Sequence, residues 1–190
     1  MNNIKRLNSQ VEFHKKYLND FLESNEDETK ITVLENTEAF YSDEGTCDTK
    51  YCDENNIPYS RNEMFNNVGC IVSIKGNIIV DIKRKFDGGE CFCDNFSKAL
   101  CEYFRSKGIN SVRQDNNDVL VDGYKVASGA EVDLPNGFRY AGYQISINQD
   151  LDTIKRVCKK PMVKVPKALS EYGITTDEMK DFCVYYWTNN

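Results

Sequence analysis

The chain has 190 residues, 40% of them hydrophobic, with 24 basic and 30 acidic side chains and a net charge of −6. That length suits one domain with a sizeable core, and the acidic balance argues against broad nucleic-acid binding. No apolar run approaches the roughly 18 residues of a membrane helix, and no secretory apolar region is visible.

From the start of the chain, Ile4, Leu7, Val11, Tyr17, Leu18, Phe21 and Leu22 recur near helical spacing, which predicts an amphipathic helix over 4–22. His14, the only histidine, falls among Lys15 and Lys16 on its polar side, where a solvated histidine is expected rather than a base. Ser24 to Lys30 is a charged turn, and Ile31 to Leu34 a strand. Residues 1–60 carry 13 acids and 6 bases, so the negative charge is concentrated there, and 42–56 predict a polar loop with at most a short helix.

A strand from Ile57 to Arg61 is expected next, then a hairpin of 68–73 and 78–82 turning at Lys75-Gly76-Asn77. Lys83-Arg84-Lys85 is a charge run that suits solvent or the mouth of an anion site. Phe92 to Lys107 predicts a helix with Phe96, Leu100, Tyr103 and Phe104 inward and Gly108 as its left-handed cap. A strand over 109–113 follows.

The next stretch is Asn117-Asp118-Val119-Leu120-Val121-Asp122-Gly123-Tyr124-Lys125-Val126-Ala127-Ser128-Gly129-Ala130. Its β-branched run, Asp-Gly turn and renewed apolar run predict a β-hairpin with Lys125 just past the turn. Small residues at 127–130 let the backbone come close to whatever Lys125 faces. Beyond it, 138–148 alternates as a strand, Asp150 opens a helix with Ile154 and Val157, and a last helix spans 170–187 with its cap region at 175–178. From Thr153 to Ser170 there are six basic residues and no acid, which suits either a solvated helix end or a docking patch.

Eight cysteines stand at 47, 52, 70, 91, 93, 101, 158 and 183, and only Cys91 and Cys93 are closely spaced. No second Cys pair or His cluster accompanies them. The expectation is a cytoplasmic chain with reduced, largely buried thiols, without a disulfide framework or structural zinc. With neither repeat nor Pro/Gly-rich linker, residues 1–190 are expected to form a single domain. Its class is α/β, or α+β: a largely antiparallel central sheet with helices packed on one face.

The 117–130 stretch resembles the signature of the lipoate–protein ligase family, N-D-[IV]-x-[VL]-x-G-x-K-[IV]-[SA]-G-[SA]-A, and more loosely that of biotin ligases and octanoyltransferases. Ala127-Ser128-Gly129 replaces the Ser-Gly-Ser of many members. The resemblance implies the catalytic domain alone, with no accessory C-terminal domain, and an enzyme that activates lipoate or octanoate with ATP and Mg²⁺. The acyl group would then pass to a lysine of a lipoyl-domain carrier, which could dock near 155–167. Lys125 would be the catalytic cation at the acyl carboxylate and phosphate. Arg61, Gly69, Gly76, Asn77, Asn117 and Asp118 would hold the nucleotide, with Asp118 also a metal ligand.

Before residue 110 the likeness thins. Gly69 to Asn77 matches the family's glycine turn and following strand at Gly69, Val72, Gly76 and Asn77 only, and Ser73-Ile74 replaces a His-Asp pair. Fewer glycines leave less room for backbone N–H groups to crowd round a phosphate. The ATP-free transferases of this fold use a cysteine nucleophile. No cysteine lies between 101 and 158, which leaves Cys70 and Cys91. The alternative function is a catalytically inactive relative acting as a binding or inhibitory protein. The Asn- and Lys-rich composition suits an A/T-rich genome, a viral one included.

Overall fold

The computed structural model describes residues 3–7, 19–24, 29–41, 45–61, 72–86, 88–89, 91–114, 117–160, 162 and 164–190. In chain order the elements are β1 (Asn3–Leu7), α1 (Asn19–Glu23), β2 (Lys30–Glu35), β3 (Ala39–Tyr41), α2 (Thr49–Glu54), β4 (Tyr59–Arg61), β5 (Val72–Ser73) and β6 (Asn77–Lys85). Then come α3 (Phe92–Ser106), β7 (Ser111–Gln114), β8 (Asp118–Val121), β9 (Tyr124–Asp133), β10 (Phe138–Ser146), α4 (Leu151–Val157) and α5 (Thr176–Asn189). A 3₁₀ turn at Leu169–Tyr172 precedes α5.

The large sheet has the order β1-β2-β6-β10-β9-β8-β7. Every neighbouring pair is antiparallel except the edge pair β1–β2. A second sheet, β4-β3-β5, has three short strands. Strand alternation sorts the large sheet into two faces. On one, Ile78, Val80, Ile82, Val119, Val121, Tyr143 and Ile145 meet Phe96, Leu100 and Phe104 of α3 and Met179, Cys183 and Trp187 of α5. Phe96 stands edge-on to Tyr143, centroids 5.0 Å apart. Burying each such side chain is worth about 1.5–3 kcal/mol, so this layer carries most of the fold's stability.

The other face carries less. Phe21 of α1 packs edge-on against Tyr140, centroids 6.1 Å apart, with Leu34, Ile79 and Ala130 around them. The buried Lys83 donates to the carbonyls of Leu22, at 2.6 Å, and Ser24. Its charge thus sits at the negative end of α1.

Three expectations fail locally. Ile4–Leu7 is not the start of a helix. It lies in β1, paired parallel with β2 from Asn3↔Lys30 to Leu7↔Leu34. An apolar 4/7 spacing fits a helix, but the available sheet edge satisfies the backbone of these residues instead. Residues 8–18, His14 among them, lie outside those described. The predicted 68–73/78–82 hairpin does turn at Gly76, yet β5 pairs with β3 and β6 with β2 and β10, so the two strands enter different sheets. The 170–187 helix is broken: Gly173, at φ +80°, ends the 3₁₀ turn, and α5 begins at the Thr175 cap.

Candidate functional site

The hairpin is built as its sequence requires. Asp122 (φ +51°) and Gly123 (φ +82°) both take left-handed conformations, the two-residue turn that suits the twist of paired strands. The register then slips. Val121 faces Tyr124 and Leu120 faces Lys125, but Val119 faces Ala127, so Val126 is an extra residue in β9. That bulge decides the site. Without it, Lys125 and Ala127 would point to the same face. With it, Ala127 enters the helix-side core. Lys125 is re-aimed to the opposite face, beside Asp118 and Ser128.

Asp118 is the centre of a charge cluster on that face. The Lys125 ammonium lies 3.0 Å from Oδ1 and the Lys164 ammonium 2.5 Å from Oδ2. Burial alone would raise the Asp118 pKa. Hydrogen bonds from Lys164 and Ser128, with the Lys125 charge, outweigh it and hold the carboxyl below its ordinary value. Main-chain bonds fix the geometry: Lys125 N–H donates to Val165 O, and Lys167 N–H donates to Lys125 O, both at 3.1 Å. Residues 165–167 therefore run alongside the start of β9. Further out, Lys167 Nζ lies 2.9 Å from the Tyr172 hydroxyl, which donates to Asp122 in the turn at 2.7 Å. Asn117 enters β8 at φ +65°, its carbonyl accepting from the Tyr143 hydroxyl at 2.6 Å.

The structure thus brings Asp118 and Lys125 together, with Asn117 next to Asp118 in the chain. Gly76 and Asn77 lie at the same end of the large sheet, two strands away. Both backbone groups of Gly76 are engaged within the fold: its N–H donates to Asn36 O and its carbonyl accepts from Asn148 N–H. At φ +92°, with a would-be Cβ 2.7 Å from Asn148 O, only glycine fits here. Asn77 is buried, its carbonyl accepting from Asn36 N–H. These two residues visibly lock the end of the sheet. Arg61 lies on β4 of the second sheet, paired with Tyr41. Gly69 and Cys70 lie outside the described residues.

Cys91 is not placed for nucleophilic catalysis beside Lys125. It precedes α3, on the helix side of the sheet, and donates to Glu131 Oε1 at 2.7 Å. Burial, with the Glu131 hydrogen bond and charge, pushes its pKa up to about 11, which leaves little thiolate. Two residues of the site were not anticipated. Ser128 was visible only as a small residue. Lys164 lies in the basic 153–170 segment, and nothing in its spacing singles it out.

Asp118 does not fit a resident Mg²⁺. Both of its oxygens are engaged by ammonium groups, and the described residues hold no cluster of three or more His, Cys, Asp or Glu side chains suited to a metal. Among the described residues, no helix is long and apolar enough to cross a membrane.

No family model and no curated sequence matches the chain. Solved structures do. A lipoate–protein ligase A bound with ATP superposes at a TM-score of 0.78 with 14% identity, over 95% of this chain and 81% of that one. Ta0514, a candidate lipoate protein ligase from Thermoplasma acidophilum with bound lipoic acid, gives 0.75 and 13%, over 99% and 84%. The bi-partite lipoate protein ligase of T. acidophilum, solved in work on that ligase and its E2 lipoyl domain, gives 0.76 and 14%, over 99% and 82%. The fold is that of the lipoate ligase catalytic domain.

Proposed function

We propose that the chain is a lipoate ligase-like acyltransferase that activates lipoate or octanoate with ATP and transfers the acyl group to a carrier-protein lysine. One observation carries this reading: the bulge in β9 turns Lys125 onto the face where Asp118 and Lys164 meet, within the stretch that resembles the ligase signature. Two ammonium groups on one carboxylate leave a net positive, partly solvent-exposed site to which an incoming carboxylate or phosphate is attracted.

In the first step the acyl carboxylate attacks the α-phosphate of ATP, and pyrophosphate leaves. Lys125 supplies charge to the acyl oxygen and the phosphate as negative charge redistributes, while Asp118 and the 165–167 segment hold its ammonium in place. In the second step a carrier lysine amine attacks the acyl carbonyl and displaces AMP. ATP and lipoate as ligands are supported by the bound molecules of the two neighbours of like fold, and a lipoyl-domain acceptor by the third.

A second reading, a binding protein without turnover, is favoured by the sparse glycines before Asn77 and by Ser73-Ile74 in place of His-Asp. Pyrophosphate exchange dependent on lipoate or octanoate separates the two. Exchange is expected with one of these acids. Its absence with every short acyl acid and with biotin would hand the case to the binding protein.

A further inference from the structure

Away from the Asp118 site, three thiols meet in the small core beneath the second sheet, with Ala39, Tyr41, Ile74, Ile154 and Val157. Cys47 just precedes α2, Cys52 lies within α2, and Cys158 caps the C-terminus of α4. Cys47 and Cys158 form an isolated antiparallel bridge. Its hydrogen bonds run from Asp48 N–H to Val157 O, at 2.7 Å, and from Lys159 N–H to Thr46 O, at 2.8 Å. Those bonds flank the two cysteines, which makes them a non-hydrogen-bonded pair. In such a pair the side chains point to the same side and the Cα atoms lie about 4.5 Å apart. That separation falls inside the window of roughly 4.4–6.8 Å in which a disulfide closes without backbone movement.

We propose that Cys47 and Cys158 are a reversible dithiol–disulfide site, taking a small-molecule disulfide such as oxidised glutathione as its oxidant. Cys158 is half-buried and Cys47 fully buried, so the reaction begins at Cys158. Burial also pushes the Cys47 pKa up to about 12, with smaller contributions from the neighbouring thiols Cys52 and Cys158, which makes it the poorer first attacker. The Cys158 thiolate attacks one sulfur of the oxidant, forming a mixed disulfide and releasing the first glutathione thiolate. Cys47 then gives up its proton and attacks Cys158 Sγ, displacing the second glutathione. Two protein thiols are oxidised by two electrons, and one small disulfide is reduced to two thiols.

The site has a structural outlet. Lys159 and Lys160 follow the bridge, and a few positions on, Lys164 pairs with Asp118 while Val165 and Lys167 bond the Lys125 backbone. Closing the disulfide ties the residue before Lys159 covalently to Cys47, just ahead of the α2 cap Asp48. The proposal stands apart from the ligase reading, since its test measures no turnover.

The test incubates the full-length protein in glutathione buffers of graded poise, traps free thiols by alkylation, and maps peptides without reduction. The expected product is one cross-linked peptide pair holding Cys47 and Cys158, reversed by dithiothreitol and retained in Cys52→Ser. Amide exchange over 159–167 is expected to slow several-fold in the oxidised form. A Cys47–Cys52 link, glutathione stalled on Cys158, no oxidation at the most oxidising poise, or unchanged exchange over 159–167 would each overturn it. The wild-type peptide map decides the pairing even if a cysteine variant fails to fold.

Discussion

At the scale of single residues, the balance around Asp118 separates stability from function. Its two lysines are partly solvent-exposed, and ion pairs of that kind are worth about 0.2–1 kcal/mol. Lys125→Ala should therefore melt close to the wild type. A charge-assisted contact made to a developing anion in a sheltered site is worth far more, about 3 kcal/mol or roughly a hundredfold in rate. Pyrophosphate exchange by Lys125→Ala should fall by at least about that factor. Equal exchange by variant and wild type would remove Lys125 from the chemistry. Lys125 and Asp118 stood out because the stretch resembles a known signature, but their ion pair was not legible, since the resemblance gave Asp118 to nucleotide and metal. Lys164 was hidden, because it stands 46 positions from Asp118 in the chain and no local pattern links the two.

Among the elements, β6 and β9 carry constraints that no local pattern announces. Ile78 to Lys83 reads as a plain buried strand, yet Asp81 within it is fully buried and accepts a hydrogen bond from the Tyr140 hydroxyl. Desolvation raises its pKa from 3.8 to about 7, against the Tyr140 bond, which lowers it. The folded pKa lies above the unfolded one, so the associated stability is fully present below about pH 4 and is lost as pH rises through about 7. A shift of that size is on the order of 4 kcal/mol. Asp81→Asn keeps an acceptor for Tyr140 and has no such dependence. Its stability relative to the wild type should rise between pH 4 and 8 and then level off; a constant gap in chemical denaturation would contradict the buried carboxyl. In β9, a Cβ on Gly129 would stand 2.1 Å from the Tyr143 ring and 2.7 Å from Cys93 Sγ. Gly129→Ala should cost about 1–3 kcal/mol by overpacking, visible as a lower melting temperature. The turn of the β8–β9 hairpin was legible from Asp122-Gly123 alone. The bulge at Val126 was not, because only the packing of Val126 and Ala127 into the same core selects the slipped register.

For the whole molecule, the run from β7 to β10 could be followed along the chain, since these sheet neighbours follow one another in sequence. What could not be followed was the meeting of distant parts: β1 on the edge of β2, β5 in the second sheet, and the basic segment folding back on the hairpin. That last meeting bears on the partner. Arg156 and Lys159 are exposed at the end of α4 and just beyond it, and the same stretch continues to Lys164 at the charge cluster. A carrier domain guided there by charge would bring its lysine toward the face that holds Lys125, and rim charges of this kind govern encounter more than chemistry. Arg156→Glu with Lys159→Glu should leave acyl-dependent pyrophosphate exchange unchanged, since neither residue touches Asp118. The same double variant should raise KM for an acidic lipoyl domain by about tenfold at low salt, and the difference should shrink as salt screens the pair. An unchanged KM would move the carrier to another surface, whereas a loss of exchange would show that the segment holds the site rather than the partner.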